Sequence, residues 1–350
     1  MSRLKIKVNL PYIYIYMEEF KKYILDINNS NSASQVGKFW KDQYKISGFK
    51  NELDFIPSDE NIKNLRTWNK RTAMGNGGSD QIKWGKESYI RLLKAFPKEQ
   101  KLTEYTNNLK ESDMGNPVKV KTHLGNFSGM FYLNIIHSYV LYTAISNFYT
   151  TDKPLDICEI GAGWGQCCEI LNQKLSLSSY TTIDLKETLV LSYLNALHNF
   201  DNSDIQLIMN EKQKKYNFCV PENIDNLENS NNQYDIFINC HSFQEMSKQN
   251  VISYTTFIKK KLKKDGLFIS INSWGYDRYE IKHFSDLQLH NFEIVDIFND
   301  PRSIGCKQLV VVCKNVEHNK EINIDKLNRM ALDLRNNKIK KEDFLNNIYI

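Results

Sequence analysis

The stretch that decides the fold reads Asp156-Ile157-Cys158-Glu159-Ile160-Gly161-Ala162-Gly163-Trp164-Gly165-Gln166. An apolar run typical of a buried strand passes into three alternating glycines, and helical periodicity follows. Alternating glycines permit positive φ angles and let a ligand lie directly on the backbone at the carboxyl edge of a sheet. The pattern predicts a strand, a ligand-binding loop and a helix of an α/β fold. A tight turn with nothing bound is the alternative.

The spacing of these glycines favours one class of cofactor. A dinucleotide fingerprint requires G-x-G-x-x-G, and its third glycine would fall at position 166, which is Gln166. Glu159, two residues before Gly161, would repel a pyrophosphate but suits a cationic ligand. S-adenosylmethionine carries a sulfonium and an ammonium and no phosphate, so the electrostatics favour it over NAD.

A second motif, Tyr180-Thr181-Thr182-Ile183-Asp184-Leu185, reads as a strand that ends in an acid. In α/β folds that bind nucleosides, an acid at the end of the second strand accepts hydrogen bonds from the ribose hydroxyls. Asp184 is therefore a candidate ribose ligand. A plain helix N-cap is the alternative.

Short apolar runs alternate with helical stretches from residue 155 onward, which predicts a parallel sheet covered by helices on both faces. The last two strands are separated only by a loop, so they form an antiparallel pair at the edge of the sheet. The predicted strands are Leu155–Ile160, Tyr180–Ile183, Asn217–Val220, Tyr234–Asn239, Leu267–Ile271, Phe292–Ile297 and Gln308–Cys313. The helices between them are Gly165–Leu175, Leu189–His198 and Gln249–Leu262, the last running on to a helix end at Lys263-Lys264.

The length of 350 residues suggests two domains, or one domain with large additions. We expect a mainly helical N-terminal cap over residues 1–129, a catalytic domain over 130–315 and a helical tail over 316–350. A net charge of +5, spread over the chain, is too weak to indicate a nucleic-acid binder. Seven cysteines without a CxxC pair argue against a zinc site and for a reducing cytoplasm. The sequence predicts neither a signal peptide nor a membrane span.

Taken together, residues 155–313 resemble a class I S-adenosylmethionine-dependent methyltransferase. More narrowly, the chain is similar to the putative bacterial sugar O-methyltransferases. That likeness is carried by Glu159–Gly165, by Ile183-Asp184-Leu185-Lys186-Glu187-Thr188, by Asn239–Met246 followed by Tyr254, and by Gly115-Asn116-Pro117. The resemblance implies a Rossmann-like sheet of seven strands with a terminal hairpin, and methylation of a hydroxyl on a sugar or glycan precursor, free or linked to a nucleotide. It leaves the oligomeric state open.

The resemblance also implies where the cofactor lies. We expect S-adenosylmethionine, and S-adenosylhomocysteine as its product, to contact the glycine loop, the end of the second strand and the exits of the third and fourth strands. The residues concerned are Glu159, Gly161, Ala162, Gly163, Trp164, Gly165, Asp184, Leu185, Pro221, Asn239 and Cys240.

Methyl transfer to a hydroxyl requires in-line placement and removal of a proton, and histidine is suited to take that proton. His241 follows the fourth strand of the parallel sheet, where ligands bind. Glu245 stands four residues later and would share one face with it if the segment turns. We predict His241 as the general base, oriented by Glu245. The alternative is a histidine that closes the strand beside a surface acid.

Candidate acceptor contacts fall on two polar segments. One is the loop 119–128, with His123 and Asn126. The other follows the fifth strand, with Asn272, Trp274 and Tyr276, a mixture that suits sugar hydroxyls and ring faces. An aromatic surface loop is the alternative for the second segment. His137 and His198 lie in helical patterns, which predicts packed or exposed residues rather than functional ones.

Two other functions stay open from the sequence. The same sheet and base would serve a phenol or another small hydroxylated metabolite, and a non-catalytic cofactor-binding protein would share the fold. No spacing requires a metal, although acids such as Glu245 and Asp277 are of the type that holds a divalent ion.

Overall fold

A mixed sheet of eight strands lies at the centre of the fold. The computed structural model describes residues 10–29, 56–66, 80–97, 99–150, 152–208, 213–302, 308–317 and 321–349. The sheet consists of β3 (Leu155–Ile160), β4 (Leu177–Ile183), β5 (Ile205–Leu207), β6 (Tyr216–Cys219), β7 (Tyr234–Cys240), β8 (Leu262–Asn272), β9 (Glu293–Asn299) and β10 (Leu309–Lys314). A separate hairpin pairs β1 (Lys119–Thr122) with β2 (Gly125–Ser128).

The strand order is β5-β6-β4-β3-β7-β8-β10-β9. Neighbours from β5 to β8 are parallel, and β10 is antiparallel to both β8 and β9. The predicted parallel sheet with an antiparallel terminal hairpin is therefore confirmed. All seven predicted strands are present, and the sequence missed only β5, an edge strand of three residues that is too short to show periodicity. Because β9 runs parallel to β8, the ends of β3, β4, β7, β8 and β9 and the start of β10 meet at one edge of the sheet.

Helices flank the sheet and extend before and after it. They are α1 (Leu10–Asn29), α2 (Asp59–Lys63), α3 (Gln81–Ala95), α4 (Glu99–Thr106), α5 (Gly129–Ser146), α6 (Gln166–Leu171), α7 (Lys186–Asn199), α8 (Ile224–Asn229), α9 (Lys248–Lys261), α10 (Ile324–Arg335) and α11 (Lys341–Asn347). Caps begin several of them: the Ser128 side chain accepts from the N–H of Phe131 at the start of α5, and Ser247 accepts from Asn250 at the start of α9.

The two faces of the sheet have separate cores. In β3, Ile157 packs on one face with α1, α5, α6 and α7, while Cys158 and Ile160 pack on the other with α9, α10 and α11. This alternation follows from the period of two along a strand, and burial on both sides explains the continuous apolar runs of the sequence. A third cluster, with Leu92 and Phe131, joins α3 and α4 to α5 and the β1–β2 hairpin.

Two local features differ from the sequence expectations. The segment predicted as a polar loop forms the β1–β2 hairpin, whose turn at His123 lacks the Asn-Gly or Asp-Gly signal of a tight hairpin. Lys263 and Lys264 belong to β8 rather than to a helix end. The ammonium of Lys263 pairs there with Asp156 at 3.0 Å and Asp235 at 2.9 Å, and those acids hold it in the strand.

The tail follows the expected pattern, with α10 and α11 on either side of a break at Asn336-Asn337. The six cysteines in the described ranges are free thiols, and Cys306 lies outside those ranges. Within the same ranges, no helix combines the length and apolarity needed to cross a bilayer.

Candidate active site

The glycine loop between β3 and α6 turns on three left-handed residues. Gly161, Gly163 and Gly165 have φ angles of 77°, 59° and 76°. L-residues with a side chain rarely adopt this conformation, so the alternating spacing of the sequence corresponds to a real backbone requirement.

Two of these glycines have a packing reason, and one does not. A Cβ at Gly161 would lie 2.1 Å from the hydroxyl oxygen of Ser242, and one at Gly165 would lie 3.0 Å from the Cβ of Ser192. At Gly163 a Cβ would meet nothing within 4 Å. The space over Gly163 is therefore open, and Gly161 to Gly163 are partly exposed. This is the cradle in which a ligand can approach the backbone.

Asp184 closes the cradle from the neighbouring strand. Its Oδ2 accepts from the N–H of Gly163 at 2.7 Å, and its Oδ1 accepts from the N–H of Leu185 at 2.7 Å. A carboxylate has about four lone-pair sites, so each oxygen can accept one more donor. Burial raises the pKa of Asp184 to about 7 despite those two bonds. The side chain ties the second strand to the loop rather than acting as a plain helix cap.

Glu159 lies beneath the loop instead of facing it. Its side chain is buried, and its Oε2 accepts from the hydroxyl of Tyr180 at 2.7 Å. Burial raises the pKa of Glu159 to about 7. Cys167 and Cys240 lie close to this carboxyl, and burial and its charge raise their thiol pKa values, so both stay protonated. Glu159 thus supplies a negative charge to the site only in its ionised form.

Two other expected cofactor residues are covered by the protein itself. The indole of Trp164 is buried, with the guanidinium of Arg66 lying 5.0 Å from its ring centre. Pro221 is also buried, and the hydroxyl of Tyr23 in α1 accepts from the N–H of the adjacent Val220 at 3.2 Å. Trp164 therefore contributes its backbone to the loop and its side chain to the core. Leu185 is partly exposed at the start of α7.

A buried amide network joins the ends of β3, β7 and β8. Asn239 donates to the carbonyl of Ile160 at 2.9 Å, and its Oδ1 accepts from the side chain of Asn272 at 2.8 Å. The Oδ1 of Asn272 accepts from the N–H of Gln244 at 3.2 Å. Both asparagines are at most 1% exposed. They fix the positions of the strand ends, and the contacts of Asn239 with the cofactor and of Asn272 with the acceptor stay predictions.

His241 leaves β7 in a strained conformation. Its φ is 63°, which is uncommon for a residue with a side chain, and its N–H donates to the carbonyl of Ile271 at 2.8 Å. Strain of this kind persists where the surrounding structure enforces it, often at functional sites. The turn aims the imidazole toward α5 and the β9–β10 hairpin.

The imidazole of His241 lies in a cluster that the sequence did not reveal. Its Nε2 lies 3.0 Å from the Nε2 of His137 in α5, and its Nδ1 lies 2.8 Å from the amide of Gln308 before β10. The Nδ1 of His137 lies 3.1 Å from the guanidinium of Arg302, and its Nε2 lies 3.5 Å from Asp300 Oδ2. We call these five residues the histidine cluster.

The donors of the cluster determine its tautomers. A guanidinium can only donate, so His137 Nδ1 accepts from Arg302 and the proton of neutral His137 is on Nε2. That N–H points at His241 Nε2, which therefore presents a lone pair, and the His241 proton is on Nδ1. The structure places Gln308 Nε2 at this Nδ1, so accepting the His241 N–H requires the Gln308 amide to be turned by 180°, which brings its oxygen there. Burial lowers the pKa of both imidazoles, that of His241 well below its ordinary range, and the charge of Arg302 contributes in both.

The same cluster has the outline of a metal site. One ligand atom each from His137, His241 and Asp300 lies within 4.8 Å of the others. A metal-bound imidazole donates its second N–H to an acceptor, whereas His137 Nδ1 faces a donor. The ring nitrogen that would bind the ion is the one that carries the proton. The donor set therefore fits a hydrogen-bonded cluster better than a metal ligand set.

The structure gives His241 other hydrogen-bond partners than Glu245. Residues 243–245 form a single 3-10 turn rather than an α-helix, and the two ring nitrogens of His241 contact His137 and Gln308. Burial and the charge of Glu245 raise the pKa of Tyr279. An orienting role of Glu245 toward His241 stays a prediction.

The expected acceptor residues are divided among three environments. His123 and Asn126 are exposed and line a surface cavity of about 470 Å³ with residues of α4, and the His123 ring contacts the Tyr89 hydroxyl at 2.7 Å. Trp274 is buried, with the Arg335 guanidinium 4.3 Å from its ring centre, and its contact with the acceptor stays a prediction. Tyr276 is partly exposed. Among the described residues that line the His123 cavity, none belongs to the histidine cluster.

Comparisons with known proteins add solved structures only. No family model and no curated protein matches the chain. The chain is similar to magnesium protoporphyrin IX methyltransferase of Synechocystis PCC 6803 with bound S-adenosylhomocysteine, at 9% identity and a TM-score of 0.40, over 65% of this chain and 99% of that one. It is also similar to a putative class I S-adenosylmethionine-dependent methyltransferase of Listeria monocytogenes, at 11% identity and a TM-score of 0.39, over 69% and 90%.

A third similar structure is phosphoethanolamine N-methyltransferase 1 of Haemonchus contortus, in complex with phosphoethanolamine and S-adenosylhomocysteine. The identity is 11% and the TM-score 0.40, over 73% of this chain and 54% of that one. The fold itself is read from this chain: its mostly parallel sheet with an antiparallel terminal hairpin is a Rossmann-like α/β fold.

Proposed function

We propose that the protein is an S-adenosylmethionine-dependent O-methyltransferase that acts on a hydroxyl of a sugar or glycan precursor. One observation carries the proposal. At a single edge of the sheet, a glycine loop with open space over Gly163 adjoins the turn that bears His241, because Ser242 packs directly on Gly161. The proposed ligand cradle and the neutral imidazole of His241 are thus neighbours, joined by the contact between Gly161 and Ser242.

The residues of the cradle fit the cofactor. The open space over Gly163 would admit a ligand against the backbone, and the free lone pairs of Asp184 would accept two ribose hydroxyls. Glu159 would balance the cationic groups from below. When bound, S-adenosylmethionine supplies a methyl group activated by a sulfonium.

His241 performs the acid–base part of this proposal. As the oxygen–methyl bond forms and the sulfur–methyl bond breaks, the hydroxyl proton passes to His241 Nε2. The positive charge lost from the sulfonium then resides on the imidazolium. For this, the N–H of His137 must leave His241, and Asp300 Oδ2 at 3.5 Å is the acceptor that can receive it.

The same proposal extends to organisation and surroundings. We propose the division into a cap over residues 1–129, a methyltransferase domain over 130–315 and a tail over 316–350, and a cytoplasmic location. The acceptor would enter between cap and sheet, where α5, the helix that follows the cap, brings His137 against His241.

The test is a methyl-transfer assay with labelled S-adenosylmethionine. The purified chain is incubated separately with pools of nucleotide sugars, free sugars and phenolic metabolites, and His241→Ala serves as the control. We expect label in a sugar pool that depends on His241. Label only in the phenolic pool would show that the acceptor is a phenol rather than a sugar. Cofactor binding without label in any pool would indicate a non-catalytic protein.

A further inference from the structure

The guanidinium of Arg302, which follows β9, carries a positive charge, and no carboxylate of the described residues forms an ion pair with it. One guanidinium nitrogen contacts His137 Nδ1, and its backbone N–H donates to Asp300 Oδ1 at 3.0 Å. Among the described residues, its side chain makes that one hydrogen bond and no ion pair. The residue is only partly exposed, and burial lowers the pKa of its guanidinium, so an anion that paired with its other N–H donors would have to enter the site.

The charges around Arg302 do not cancel. Asp300 is ionised, because the nearby His137 ring, the charge of Arg302 and the backbone N–H of Arg302 lower its pKa despite burial. Both imidazoles of the cluster are neutral, and so is the Cys240 thiol. Arg91 in α3 lies close enough for its charge to lower the pKa of Arg302, although burial is the larger cause. Within the described part of the chain, two guanidinium groups against one carboxylate leave one net positive charge.

Like charges that approach each other in a partly buried site are costly unless an anion joins them. A guanidinium presents a planar fork of donors that matches a carboxylate or a phosphate. Arg302 is separated from His241 only by the ring of His137, so an anion on this fork would lie close to the hydroxyl that His241 deprotonates.

We propose that the acceptor carries an oxyanion, either a carboxylate or a phosphate ester, on the sugar that is methylated, and that Arg302 binds it with support from Arg91. This inference rests on the proposed function and narrows its substrate to anionic sugars. The oxyanion fixes the ring beside His241, whereas a neutral sugar lacks this contact.

Titration calorimetry of the full chain, with and without S-adenosylhomocysteine, tests the inference with glucuronate, glucose 6-phosphate and glucose as probes. We expect one anionic sugar to bind at least about tenfold more tightly than glucose, the scale of one charge-assisted contact. The two anionic probes distinguish a carboxylate from a phosphate site. Arg302→Gln should lower the affinity for the preferred anionic sugar to that for glucose, and Arg302→Lys should lower it less.

Two further variants keep the test decisive. Arg91→Gln lies on an exposed helix surface, so it should fold normally and weaken the anionic probe by a smaller factor. Arg329→Gln, in the exposed face of α10, removes the same charge elsewhere and should change nothing. Equal affinity for glucose and both anionic sugars, absence of binding at tens of millimolar, or full affinity in Arg302→Gln would overturn the inference.

The outcomes also separate this inference from the function on which it rests. Methyl transfer to a neutral sugar, with unchanged kcat/KM in Arg302→Gln, would refute the proposed oxyanion site and leave the proposed methyltransferase activity standing. In the opposite outcome, an anionic sugar binds, the binding is lost in Arg302→Gln, and no acceptor is methylated. That result would support the anion site and refute the proposed reaction.

Discussion

The glycine loop and the histidine cluster lie at the same edge of the sheet but are built in different ways. The loop is local: its glycines and Asp184 come from two consecutive strands within 30 residues, and backbone geometry determines it. The cluster draws one residue from α5, one from the end of β7 and three from the β9–β10 hairpin, and side-chain hydrogen bonds determine it.

This difference predicts which substitutions each region tolerates. In the loop, any added Cβ at Gly163 occupies ligand space, so binding should fail at once. In the cluster, a lost side chain leaves its partners with unsatisfied hydrogen bonds, so the chemistry should fail while the cofactor still binds. The division is supported if loop substitutions change cofactor binding and cluster substitutions change turnover. It is refuted if both kinds of substitution change both quantities alike.

The largest effect is expected from Gly163→Val. A β-branched side chain fills the open space, and S-adenosylhomocysteine binding should become undetectable at millimolar concentration by calorimetry. Gly275→Val is the matched control, because Gly275 also has a positive φ (82°) and room for a Cβ, with its nearest neighbour at 3.6 Å. The control should bind normally. Normal binding by Gly163→Val would reduce the loop to a turn.

His241→Ala should lower kcat by about 10²–10⁴-fold with little change in cofactor affinity, since general-base help is realised in the transition state. His241→Asn should be nearly as poor, because an amide cannot take the proton at neutral pH. Steady-state kinetics and calorimetry on the same preparations measure both quantities. If His241→Ala keeps most of its kcat, another residue must be the general base, and His123→Ala would be measured next.

The pH profile of kcat sharpens the same point. The sequence alone predicts a rise through one ionisation in the ordinary range of histidine. Because burial and neighbouring charges lower the pKa of His241 well below 6.5, the structure instead predicts a plateau down through that range and a fall only in more acidic solution. A midpoint near 6.5 would mean that His241 is solvated during turnover.

Asp184→Ala should weaken cofactor binding by about 1.5–3 kcal/mol, the scale of hydrogen bonds to a charged group. Calorimetry should show this as about a 10- to 150-fold rise in Kd. Asp201→Ala, which removes an exposed acid, is the control. Unchanged affinity would reduce Asp184 to the structural tie between Gly163 and Leu185.

The smallest effect concerns pH and affinity. Asp184 and Glu159 have pKa values raised to about 7, and the ionised forms are the ones that attract ribose hydroxyls and cationic groups. Affinity for S-adenosylhomocysteine should therefore rise between pH 6 and pH 8, by about tenfold for each carboxyl that ionises. Asp184→Asn and Glu159→Gln should each flatten the curve. A pH-independent wild type would mean that both carboxyls are ionised before binding.

The sequence predicted the loop well because its information is contiguous. A strand, three glycines and a following acid are visible as a string, and so are the strands that carry them. The cluster was missed because its members are far apart in the chain and only tertiary contact joins them, 104 residues apart for His137 and His241. A signal was present nonetheless: His137 stands between Ile136 and Ser138 within the apolar α5, and a buried imidazole requires partners.

Several predicted contact residues are covered in the structure. Asn239, Asn272 and Trp274 lie at or just after strand ends, and the sequence cannot tell a side chain that faces a ligand from one that turns inward. The positive φ at His241 redirects the chain ahead of Glu245, and a histidine in the sequence does not by itself predict such a φ.

One edge of the sheet holds a glycine loop that we propose for the cofactor and, beside it, a histidine cluster that we propose for proton transfer. Calorimetric titration of the wild-type chain with S-adenosylhomocysteine, repeated on Gly163→Val and His241→Ala, separates the two roles. We expect saturable binding to one site in the wild type and in His241→Ala, and none in Gly163→Val. No binding by the wild type at millimolar ligand, or equal binding by all three proteins, would refute this division.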